Sequence, residues 1–96
     1  MITATQAKSV SDDVNNGDPV DTNLINESNG TGNLLVDEMN HSVVWAAKQG
    51  EYTAYLAISK FSDNVIATAI TTISGLGYVV STTRLHGYKE LVVSWD

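Results

Sequence analysis

The sequence predicts an α+β fold: two or three helices packed on a small three-stranded mixed sheet, in the order α-β-α-β-β after a short leading helix. Three observations carry this. Two stretches, 34–49 and 64–74, repeat apolar residues at helical spacing between caps and glycines. A β-prone run, EYTAYLAIS, lies between them. Two further β-branched and aromatic runs close the chain around His86-Gly87.

Each element has a local reason. Thr3 followed by Gln6 fits a capping box and predicts a short helix through Ala7 and Val10. Leu35, Met39, Val43 and Ala46 form the stripe of the next helix, widened by Leu34 and Ala47. Asn33 is its expected N-cap and Gly50 its stop, with Asp37 and Glu38 early and Lys48 late, the order the helix dipole favours. The strand at 51–59 is apolar on both faces, which predicts cover on both sides. Ser62 or Asp63 caps the 64–74 helix, whose Val65, Ile66, Ala69, Ile70 and Ile73 face one way and whose end is marked by Gly75 and Gly77. Residues 78–85 and 88–95 form a hairpin. The β-α-β unit is expected to cross over right-handed. The last strand, the most continuously apolar, is expected between the other two and antiparallel to both, giving sheet order 1-3-2.

The chain has 96 residues, a single domain's worth, and its composition is that of a globular protein. It divides into a short helix and acidic polar arm over 1–33 and a compact α+β domain over 34–96. The net charge is −6. Seven acidic residues and one lysine lie in the first 38 positions, while the remainder is balanced. Without a basic stripe, direct nucleic-acid binding and attachment to an anionic membrane are disfavoured. Cysteine is absent, so disulfides and thiolate metal sites are excluded. No run approaches the ~18 apolar residues of a membrane span. The N-terminus lacks the pattern of a secretory signal.

No strong chemical motif stands out. His41 lies four residues after Asp37, a pattern that suits a carboxylate-oriented base or metal ligand but also an ordinary surface pair. His86 sits at the hairpin tip, where a binding-loop role competes with a turn role. DDVNNGD (12–18) resembles the start of a calcium loop but places Val14 at a ligand position and Asn23 where the closing Glu belongs. Gly30-Thr31-Gly32 lacks the lysine of a phosphate loop. Asn26, Asn29 and Asn40 begin N-glycosylation triplets. No serine lies in a nucleophile elbow. Neither catalytic residues nor a cofactor or metal are expected.

A three-stranded sheet with one helical layer leaves two edges and one face uncovered, and a chain of this size buries only about 60–70% of its unfolded surface. Self-association as a dimer or ring is the expected remedy. Tyr55, Tyr78, Tyr88, Val92 and Trp95 are the candidate interface residues; of Trp45, Trp95, Tyr52, Tyr55, Tyr78 and Tyr88, most are expected in the core, with one or two at an edge as interface anchors.

AAKQGEY (46–52), the closure over Ile73–Tyr78, the Val93-Ser94-Trp95 end and the Ile2–Ala7 start together resemble short α+β proteins of tailed phages, including marine myovirus types. The resemblance spans Met1–Val10 and Leu34–Trp95 and omits the polar insert at 11–33. It implies a phage-encoded structural or virion-associated protein, in the virion or the host cytoplasm, with other viral proteins as partners. It brings no catalytic residues. The expected function is therefore a non-enzymatic, self-associating protein. Two alternatives are an acidic nucleic-acid mimic that inhibits a host protein, which requires a regular carboxylate array, and a small ligand-binding domain or enzyme, which requires a pocket holding His41 or His86.

Overall fold

A computed structural model describes residues 1–20 and 32–96. Among these, three helices and three strands follow one another as α1 (Ala4–Asn16), α2 (Leu34–Lys48), β1 (Thr53–Ala57), α3 (Asp63–Gly75), β2 (Val79–Leu85) and β3 (Tyr88–Ser94). The fold is α+β with sheet order β1-β3-β2. β3 is antiparallel to both neighbours. β1 and β2 run the same way but are separated by β3, so every ladder is antiparallel.

The caps match the chemistry of their residues. Gln6 N–H donates to Thr3 Oγ1 at 3.2 Å, and Thr3 N–H donates to Gln6 Oε1 at 2.8 Å, closing the capping box of α1. Asn33 Oδ1 accepts from Leu35 and Val36 N–H to open α2. Ser62 Oγ accepts from Val65 N–H to open α3. Gly50, at φ +77°, supplies the left-handed residue that stops α2.

α2 packs on β1, α3 on β2, and α1 on α2. The core between them contains Leu35, Met39 and Val43 of α2, Ile73 of α3, Ile58 after β1, and Leu91 and Val93 of β3, all fully buried. Ile2, Ala7 and Val10 are equally buried, so α1 belongs to this core rather than to a separate arm. α1 also runs past Val10 to Asn16, into residues expected to be part of the polar arm. The reason is a set of long-range bonds along its polar side. Asn15 Nδ2 donates to Gly50 O at 2.9 Å, and the Tyr52 hydroxyl donates to the Asp12 carboxylate.

The strand at β1 is not covered on both sides. Its outward residues Tyr55 and Ala57 are exposed, because the helices lie on the Ala54 and Ile58 side only.

Candidate functional site

Sheet register sorts the candidate interface residues. Thr53, Ser94 and Val79 align in one row across the three strands, Tyr55, Val92 and Ser81 in the next, and Ala57, Glu90 and Thr83 in a third. Residues in register point to one side, so these rows form the face away from the helices. Tyr55 (60% exposed) and Val79 (69%) stand open on it beside half-buried Val92, and Tyr88 (51%) stands open farther along β3, beyond Glu90. Glu90 is the only charged residue in these rows.

Tyr78 and Trp95 are not part of that face. Both are buried, edge to face, with ring centroids 6.1 Å apart. Each polar atom has an internal partner, which makes burial possible. The Tyr78 hydroxyl donates to Ile2 O at 2.9 Å, and Trp95 Nε1 donates to Ser11 Oγ at 2.9 Å. Burial pushes the Tyr78 phenol well above its ordinary value. Their place among the interface candidates is therefore corrected to the core.

Trp45, one of six Trp and Tyr residues of which most are expected in the core, is 64% exposed. It lies on the flank of α2 away from Met39 and Val43, and with His41, Ser42, Glu51, Thr53 and Tyr55 it lines a hollow of about 430 Å³. A second hollow of about 570 Å³ continues past Leu56 and Ala57 toward Glu38, Lys60 and Tyr88. α2 thus runs antiparallel to β1, with Trp45 beside the start of the strand and Glu38 beside its end. Heptad-like spacing alone could not flag Trp45, whose position next to Ala46 lies just outside the apolar stripe.

β1 is an edge strand, and its hydrogen-bond phase is fixed at both ends. Trp95 N–H donates to Tyr52 O at 3.1 Å, and Ile58 N–H donates to Lys89 O at 3.0 Å. Even-numbered residues therefore face β3, and the backbone N–H and C=O groups of Thr53, Tyr55 and Ala57 point to the open edge. Those edge groups have no hydrogen-bond partner among the described residues.

The histidines are not brought together. His41 is exposed at the rim of the Trp45 hollow and makes no bond to Asp37. His86 is exposed at φ +50°, followed by Gly87 at φ +88°. Two left-handed residues between the Leu85–Tyr88 pair form the tight turn that this hairpin needs, and this accounts for His86.

The weaker motifs dissolve. Asp12 to Asn16 are helical, so the DDVNNGD segment forms no calcium loop, and Asp12 accepts from Tyr52. That bond to Asp12 is the main cause of a raised Tyr52 pKa. Asn40 is buried, with Oδ1 accepting from Ile2 N–H at 3.1 Å, so it is closed to glycosylation. Asn23, Asn26, Asn29, Gly30 and Thr31 lie outside the described residues. Among the described residues no group of three His, Asp or Glu side chains could hold a metal, and no helix is long and apolar enough to cross a membrane.

The fold and this surface define a small α+β domain with an uncovered sheet face and an unpaired edge beside a helix. No protein-family model, curated protein or solved structure matches the chain.

Proposed function

We propose that this is a non-enzymatic protein that works by association, beginning with its own copies, through the open face of the sheet. The observation that supports this most is that Tyr55, Val92 and Val79 lie together on the side the helices leave bare, with Tyr88 on the same side farther along β3 beyond Glu90. Such a face gains from being removed from water by a second sheet, at a spacing of about 10 Å. Its Tyr rings offer large contact area at little conformational cost, the usual character of an interface anchor. The resemblance of the sequence to short tailed-phage proteins is in keeping with a virion-associated role for such a molecule.

The acidic-mimic reading has less support. Of the described carboxylates, Asp12 is held by Tyr52, and Glu38 pairs with Lys60 at 3.1 Å. A regular array offered to a partner would leave both free. The ligand-binding or enzyme reading loses His86 to the turn; His41 does line the Trp45 hollow, but exposed and with no bond to Asp37 to orient it.

The test is a charge placed at the centre of the face. Val92→Lys should shift the protein from oligomer to monomer in light scattering while leaving its circular dichroism unchanged. A wild type and variant of equal mass would refute the role of this face.

A further inference from the structure

The unpaired edge of β1 asks for a different ligand from the open face. Six backbone groups, the N–H and C=O of Thr53, Tyr55 and Ala57, point outward in the plane of the sheet. Only another extended backbone matches such a row. A second β1 is a poor occupant. Antiparallel pairing by a twofold axis normal to the sheet would put both α2 helices on the same side. Each rides on its own β1, and neighbouring strands sit only about 4.8 Å apart. Helix axes need about 8–10 Å. A single strand carrying no helix above it meets no such clash.

The side chains beside this edge select the strand's chemistry. Trp45 and Tyr55, both largely exposed, line one hollow with Glu51. The Glu51 carboxylate makes no ion pair or hydrogen bond among the described residues. Aromatic faces with a free carboxylate between α2 and β1 suit a guanidinium or ammonium group. Next along the edge, Leu56, Ala57 and Tyr88 offer an apolar stretch. We infer that the groove between β1 and α2 binds an extended segment of another protein, which adds to the sheet as a fourth strand and places an Arg or Lys side chain against Trp45, Tyr55 and Glu51. This groove borders the self-associating face and shares Tyr55 and Tyr88 with it, so it is tested in protein whose open face is blocked.

The probe is the blocked peptide Thr-Val-Arg-Val-Thr, titrated into ¹⁵N-labelled protein carrying Val79→Lys, which charges the open face on the strand farthest from β1 so that self-association does not enter. Binding should move the amide signals of Thr53, Tyr55 and Ala57 and the Trp45 indole signal, and leave the buried Trp95 indole unmoved. N-methylation of the peptide backbone should abolish the shifts. Glu in place of Arg should weaken binding, as should Glu51→Gln in the protein, each by roughly threefold or more. Absence of shifts at millimolar peptide overturns the proposal. So do shifts that persist with the N-methylated peptide, or equal binding of the Glu peptide. Failure here with an intact Val92→Lys effect on mass would leave the open-face reading standing.

Discussion

Ser11 and Trp95, 84 residues apart, meet in the core: the indole N–H donates to the serine hydroxyl at 2.9 Å. The same hydroxyl contacts Glu51 O at 2.7 Å and Ala7 O at 3.1 Å, within donating distance of both. One buried oxygen thus ties α1 to the segment before β1 and to the end of β3. Ser11→Ala would leave a buried indole N–H and a carbonyl without partners. It should cost about 1–3 kcal/mol in chemical denaturation. Trp95→Phe removes the donor as well, so combining it with Ser11→Ala should cost less than the sum of the two. Additive losses would show that the bond contributes nothing.

This relationship also marks where the sequence was legible and where it was not. α2, α3 and the hairpin could be read because each is bounded by its own local chemistry: Asn33, Ser62, Gly50 and the His86-Gly87 pair. The central place of β3 could be read from its continuous apolar character. The extent of α1 could not. Its residues past Val10 are polar, and they stay helical because Ser11, Asp12 and Asn15 find partners some 40 residues away at Glu51, Tyr52 and Gly50. The aromatic residues divided for a similar reason. Tyr78 and Trp95 are buried because Ile2 O and Ser11 Oγ await their polar atoms, and nothing in their own neighbourhood announces those partners. Of the five interface candidates, Tyr55, Tyr88 and Val92 share the open face, while the exposure of Trp45 could not be told from residue type alone.

Asn40 fixes the start of the chain. Its buried Oδ1 accepts from Ile2 N–H, and Ile2 O in turn accepts from Tyr78. Asn40→Leu should destabilise by about 1–3 kcal/mol, because it strands that N–H in the core. Hydrogen exchange at the Ile2 amide should accelerate sharply in the variant. Unchanged protection would argue that α1 is anchored by apolar contacts alone.

Stability should fall in alkali through Tyr78. Burial raises its phenol pKa above the ordinary value of 10.0, so the folded state holds the proton more tightly than the unfolded chain does. Its contribution is complete below about pH 10 and is lost as pH climbs toward the folded-state value. Denaturation midpoints measured from pH 8 to 11 should decline above pH 10, and Tyr78→Phe should flatten that decline. A variant with the same alkaline slope would assign the effect elsewhere.

The hairpin tip can be improved. His86 occupies a left-handed position at which asparagine is better suited. His86→Asn should raise stability by about 0.5 kcal/mol without affecting association. A loss of binding or assembly in this variant would return His86 to the list of functional residues.

Association through the bare sheet face is tested most directly by light scattering coupled to size exclusion, run on the wild type over a wide concentration range. The account predicts a mass of at least two copies of the 10.3 kDa chain, which Val92→Lys reduces to one. A single 10.3 kDa species at the highest concentration would contradict it.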